Sequence, residues 1–111
     1  MADGSCILLI QPLHRQGSRT YSRYDSLTEC LQAVIKVFEE HLKNVFKNDE
    51  KISYNVSQLM DFVQNLSDIV ILIYNKEFRR YEPYGRKFVK SKIYGYLAYT
   101  ATNKSGKSYY Y

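Results

Sequence analysis

Two short runs of this chain are apolar on both of their alternating faces, and they constrain its fold more than any other feature. Cys6-Ile-Leu-Leu-Ile-Gln11 ends at Pro12, and Ile69-Val-Ile-Leu-Ile-Tyr74 is rich in β-branched residues. Both are short for a helix and suit a strand. In the first, Cys6, Leu8 and Ile10 point one way while Ile7 and Leu9 point the other. A strand apolar on both sides needs a cover on both sides.

The segments between and after these runs supply only part of that cover. Arg19-Thr-Tyr-Ser-Arg-Tyr24 alternates and reads as a second strand, paired with the first in a hairpin. Ser26 with Glu29 forms a capping-box pattern, and Leu27, Cys30, Leu31, Val34, Phe38, Leu42 and Val45 follow at helical spacing. This predicts a helix over about 26–44. Lys47 to Lys51 is expected to be a charged loop, and Ile52 to Asn55 short and extended. Asn55 or Ser57 can cap a second helix with Leu59, Phe62, Val63 and Leu66 on one face. Phe78 to Glu82 reads as a fourth strand stopped by Pro83, and residues 86–99 as a last helix with Phe88, Val89, Ile93, Tyr96 and Leu97 apolar. Residues 103–111 read as a flexible tail.

The expected order is β-β-α-α-β-β-α: an α+β fold with a four-stranded antiparallel sheet and three helices on one face. A chain of 111 residues fits one domain, expected over 1–102. The second apolar face of the sheet is then left uncovered, and a second copy packed sheet to sheet is the simplest lid.

Composition narrows the function classes. The net charge of +5 is uneven: residues 1–75 carry seven Lys/Arg against nine Asp/Glu, a balance of −2, and residues 76–111 carry nine against two, a balance of +7. A basic final helix (Arg86, Lys87, Lys90, Lys92) makes direct nucleic-acid binding the alternative function, although the chain lacks the paired aromatic and basic pattern of an RRM strand. Direct RNA or DNA binding is therefore not the leading expectation. Twelve tyrosines suit half-buried or partner-facing positions, and Tyr81, Tyr84 and Tyr94 are candidates for contacting a partner. Cys6 and Cys30 form no CxxC motif or Cys/His cluster, so no metal is expected, and two reduced, packed thiols fit an intracellular protein. His14 and His41 have no nucleophile at a telling spacing, Asp61 and Asp68 sit seven residues apart like ordinary surface positions, and no glycine-rich phosphate loop occurs. No enzyme activity and no cofactor are expected. No run is long enough to span a bilayer, so no membrane association is expected.

Taken together, Ile7-Leu-Leu-Ile-Gln-Pro12, Arg19-Thr-Tyr21, Tyr24-Asp-Ser26, Glu29-Cys30, Glu39-Glu-His-Leu-Lys43, Ile52-Ser-Tyr54, Ser57-Gln-Leu59, Asp61-Phe62, Tyr81-Glu-Pro-Tyr84 and Lys92-Ile-Tyr94 resemble the enhancer of rudimentary homolog family in order and spacing. The resemblance implies the same sheet-and-helix fold and a homodimer through the sheet, with dimer contacts at Ile7 and Leu9 and expected third-strand counterparts at Ile71 and Ile73. It also implies a nuclear or nucleocytoplasmic adaptor that binds short segments of RNA-processing proteins, with links to RNA elimination, gene-expression control and the cell cycle. A family phosphorylation site maps to Ser26, where Glu29 keeps the acidic residue at +3; a second maps to Thr20, where +3 is the basic Arg23. The chain departs from the family in residues 44–51, which lack a Pro-rich loop, in Phe88 where the family has Trp, and in its Lys/Tyr tail.

Overall fold

The computed structural model describes residues 3–46 and 53–102, with backbone alone for Ala101 and Thr102. The expected loop at Lys47–Lys51, the start of the extended segment at Ile52 and the tail 103–111 lie outside the described residues. The elements are β1 (Cys6–Gln11), a 3-10 turn (Gln16–Ser18), β2 (Thr20–Tyr24), α1 (Leu27–Val45), α2 (Val56–Asn65), β3 (Asp68–Asn75), β4 (Arg80–Tyr84) and α3 (Arg86–Thr102). The four strands form one antiparallel sheet in the order β2-β1-β3-β4, so the two doubly apolar strands sit side by side at its centre.

Helix starts follow local chemistry. At α1 the Glu29 N–H donates to Ser26 Oγ at 3.2 Å, while Glu29 Oε2 accepts from the Asp25 N–H at 3.1 Å. The return bond thus reaches one residue beyond the cap. At α2 Asn55 is the cap: its Oδ1 accepts from the Gln58 N–H and Gln58 Oε1 accepts from the Asn55 N–H, both at 2.9 Å. Two orphan donors are satisfied reciprocally. The α3 helix runs to Thr102, three residues past its expected end.

The core lies between sheet and helices. Cys6, Leu8, Ile10, Ile69 and Ile71 from the central strands meet Cys30, Val34, Phe38, Leu59, Val63, Val89, Ile93 and Leu97 from the helices, all buried. Val45, placed on the buried stripe of α1 by spacing, is instead exposed on its last turn.

Strand β4 departs from expectation. It spans Arg80–Tyr84 rather than Phe78–Glu82, and Pro83 lies within it, opposite Leu72. An edge strand has one side free of ladder bonds, which tolerates a residue without an N–H. The chain reverses before it, from Asn75 to Arg80, with Arg79 at φ 52°.

Candidate functional site: the open sheet face and the α1 groove

Register decides which side chains share the uncovered face. Ile7 lies opposite Leu72 and Leu9 opposite Val70; on the outer strands Arg23 and Tyr21 flank Ile7 and Leu9, while Pro83 and Tyr81 flank Leu72 and Tyr74. Directly opposed residues point to the same side of a sheet. The open face is therefore Ile7, Leu9, Val70 and Leu72 at the centre, all half-buried, rimmed by Tyr21, Arg23, Tyr74, Tyr81 and Pro83. Tyr74 and Tyr81 meet edge to face, 5.3 Å between centroids.

This corrects one expectation. Ile71 and Ile73 are not the partners of Ile7 and Leu9 on the open face. Ile71 lies opposite Leu8 and has no exposed surface, and Ile73 lies opposite Cys6 and packs on the core. Both belong to the helix-covered side. The counterparts are Leu72 and Val70, one residue out of phase, because a period of two turns any one-residue offset into a change of face.

The three candidate tyrosines do not converge. Tyr81 is on the open face, Tyr84 lies on the covered side and packs on Phe88 at 4.3 Å, and Tyr94 is exposed on α3. Ser26 holds the α1 cap described above. Among the candidate nucleic-acid residues, Arg86 donates from Nε to the Val63 carbonyl at 3.2 Å and from Nη2 to the Leu66 carbonyl at 2.6 Å, tying α2 to α3. Lys90 Nζ donates to Gln64 Oε1 at 2.9 Å, and Lys92 lies over the Phe88 ring. Arg86 thus has structural partners where a phosphate contact would need it unengaged.

A groove of about 510 Å³ runs along α1, floored by Ala33, Val37, Phe62 and Tyr24 and edged by Lys36, Glu40 and Asn44. A neighbouring hollow of about 380 Å³, reaching Leu13, Phe38 and Leu66, shares Pro12, His41 and Phe62 with it. His41 lies across the Phe62 ring at 5.4 Å. One wall is the β1–β2 loop, which the buried Gln11 holds in place: its amide donates to the Leu13 and His14 carbonyls, and its Oε1 accepts from Arg19 Nε at 2.9 Å. Sequence reasoning missed this groove. Its one signal was the pair Ala33 and Val37, apolar positions beside the main stripe of α1.

The chemistry of the remaining groups is plain. Both cysteines are free and buried; burial pushes the Cys6 thiol up, and burial together with Cys6 pushes Cys30 up to about 12. Such thiols are poor nucleophiles. A Ser67–His14 contact is long, at 3.4 Å, and exposed. Among the described residues no group of three or more His, Cys, Asp or Glu could hold a metal ion, and no helix is long and apolar enough to cross a membrane.

The chain is a two-layer α+β fold with an apolar sheet face on one side and a side-chain-lined groove on the other. The enhancer of rudimentary family model matches residues 2–103, and the chain belongs to that family. It is 45% identical over 95 residues to the protein enhancer of rudimentary of Drosophila virilis, covering 86% of this chain and 91% of the relative. It is 36% identical over 88 residues to the enhancer of rudimentary homolog of Caenorhabditis elegans (79% and 85% covered). It is 28% identical over 96 residues to enhancer of rudimentary homolog 1 of Schizosaccharomyces pombe (86% and 88% covered).

Proposed function

We propose that this chain is a nuclear, non-enzymatic adaptor: two copies pair through their open sheet faces, and the assembly holds short segments of RNA-processing proteins. One observation carries the reading, the run of Ile7, Leu9, Val70 and Leu72 across the two central strands on the side without helices. Burying side chains of this kind contributes about 1.5 kcal/mol each. Eight across a two-fold interface give about 12 kcal/mol, within the about 4–15 kcal/mol lost to ordering two molecules. The aliphatic centre is thus only marginally sufficient, and the tyrosine rim supplies the further area a stable pair needs.

The α1 groove is the site proposed for partner segments. Its floor is apolar and its edge polar, which suits an extended or helical peptide with apolar anchors. The test compares the wild type with Ile7→Arg/Leu9→Arg by sedimentation and light scattering. A wild-type dimer and a folded monomeric variant are expected, because a charge cannot be buried unpaired. A wild type that sediments as a monomer at all concentrations overturns the reading, as does a dimer indifferent to the two arginines. Capture of RNA-processing proteins by the wild type, lost with Val37→Glu, would then locate partner binding in the groove.

A further inference from the structure

The β3–β4 hairpin tip concentrates aromatic rings and cations. Phe78 stands 57% exposed, an apolar ring that folding leaves in water. Arg80 lies with its guanidinium carbon 5.2 Å from the centre of that ring. Lys76 and Arg79 are exposed on the same turn, and Tyr74 and Tyr81 meet edge to face at its base. Glu77 is the acidic residue of the turn itself; Glu82, further along, accepts from Asn75 Nδ2 at 2.9 Å and lies 3.8 Å from Arg80.

The tip is also clamped. The Phe78 N–H donates to Asn75 Oδ1 at 3.2 Å, and the Lys76 N–H donates to Asp3 Oδ1 at 3.0 Å. Arg79 holds a left-handed backbone, φ 52°, where Gly or Asn is at home. Strain of this kind persists where surrounding bonds over-determine the turn, and it clusters at binding sites.

We propose that this hairpin tip is a sequence-tolerant contact for single-stranded nucleic acid, with a base stacked on Phe78 and phosphates met by Lys76, Arg79 and Arg80. Aromatic faces take any base, and flanking cations follow the backbone. An anionic membrane surface fits less well, since one exposed ring and three cations are a small anchor. The site differs from the basic face of α3 and does not rest on the proposed pairing of two copies.

The test is fluorescence anisotropy of a labelled oligouridylate with the full-length protein. The wild type binds, and contact with three phosphates weakens binding roughly eighteenfold from about 50 to about 200 mM salt. Loss of stacking in Phe78→Ala weakens it about tenfold. Arg79→Gly with Arg80→Thr weakens it further and flattens the salt dependence, while circular dichroism shows each variant folded. Lys87→Ala on α3 binds as the wild type does. No binding at low salt overturns the proposal. So does binding unchanged by the hairpin variants, or lost with Lys87→Ala alone. Binding to phosphatidylserine vesicles but not to the oligonucleotide would make the tip a membrane contact and overturn it equally.

Discussion

Cys30 shows how a single buried group couples stability to pH. It has no exposed surface, and its thiol is pushed from 9.0 up to about 12 by burial and by Cys6. The unfolded chain loses this proton near pH 9 and the folded chain keeps it. The contribution is complete below the unfolded value and is lost as pH rises towards 12, by up to about 1.4 kcal/mol per pH unit. Urea denaturation at rising pH is expected to show a steeper alkaline loss for the wild type than for Cys30→Ala, which is less stable at neutral pH because of the cavity it leaves. Equal alkaline slopes would contradict this origin. Ser26 is a second single-residue case: removing its hydroxyl leaves the Glu29 N–H without its acceptor. Ser26→Ala is expected to cost about 1 kcal/mol in the same assay, and Ser26→Asp much less, since Asp caps as well as Ser.

At the scale of elements, Arg86 ties the start of α3 to the end of α2. Arg86 bridges the Val63 and Leu66 carbonyls at the C-terminal end of α2, groups that have no intrahelical partner there. Hydrogen bonds from a charged donor contribute about 1.5–3 kcal/mol, so Arg86→Ala is expected to lower stability by about that amount. Arg86→Lys should recover only part, since an ammonium cannot span both carbonyls with a planar fork. A neutral Arg86→Ala in thermal denaturation would show the bridge to be idle. Arg86 also marks a limit of sequence reading: its charge was legible and suggested a phosphate contact, but its partners come from a helix twenty residues away. The strands and helices themselves were readable because β-branched runs, capping residues and helical spacing are local signals. The position of β4 was not, because Pro83 stops a central strand but not an edge strand, and edge position is a property of the whole sheet. The α1 groove was equally hidden, since its walls come from β2, the β1–β2 loop, α1 and α2.

For the whole molecule the consequential quantity is the phase of β3. A strand apolar on both faces carries no local mark of which face the helices cover, so alternation alone leaves Ile71 and Leu72 equivalent. Pairing removes the ambiguity: Ile71 meets Leu8 in the core and Leu72 meets Ile7 on the open side. Neighbouring residues of similar size should then answer the same substitution in opposite ways. Ile71→Arg places a charge in the packed core and is expected to unfold the chain, seen as loss of the circular dichroism signal. Leu72→Arg places it on the open face. There the isolated subunit should keep its far-ultraviolet spectrum and most of its stability, while the proposed sheet-to-sheet pair separates in sedimentation. If Leu72→Arg unfolds the chain as completely as Ile71→Arg, the outer face is covered within one subunit and no second copy is required. If Leu72→Arg sediments as the wild type does, any association uses another surface.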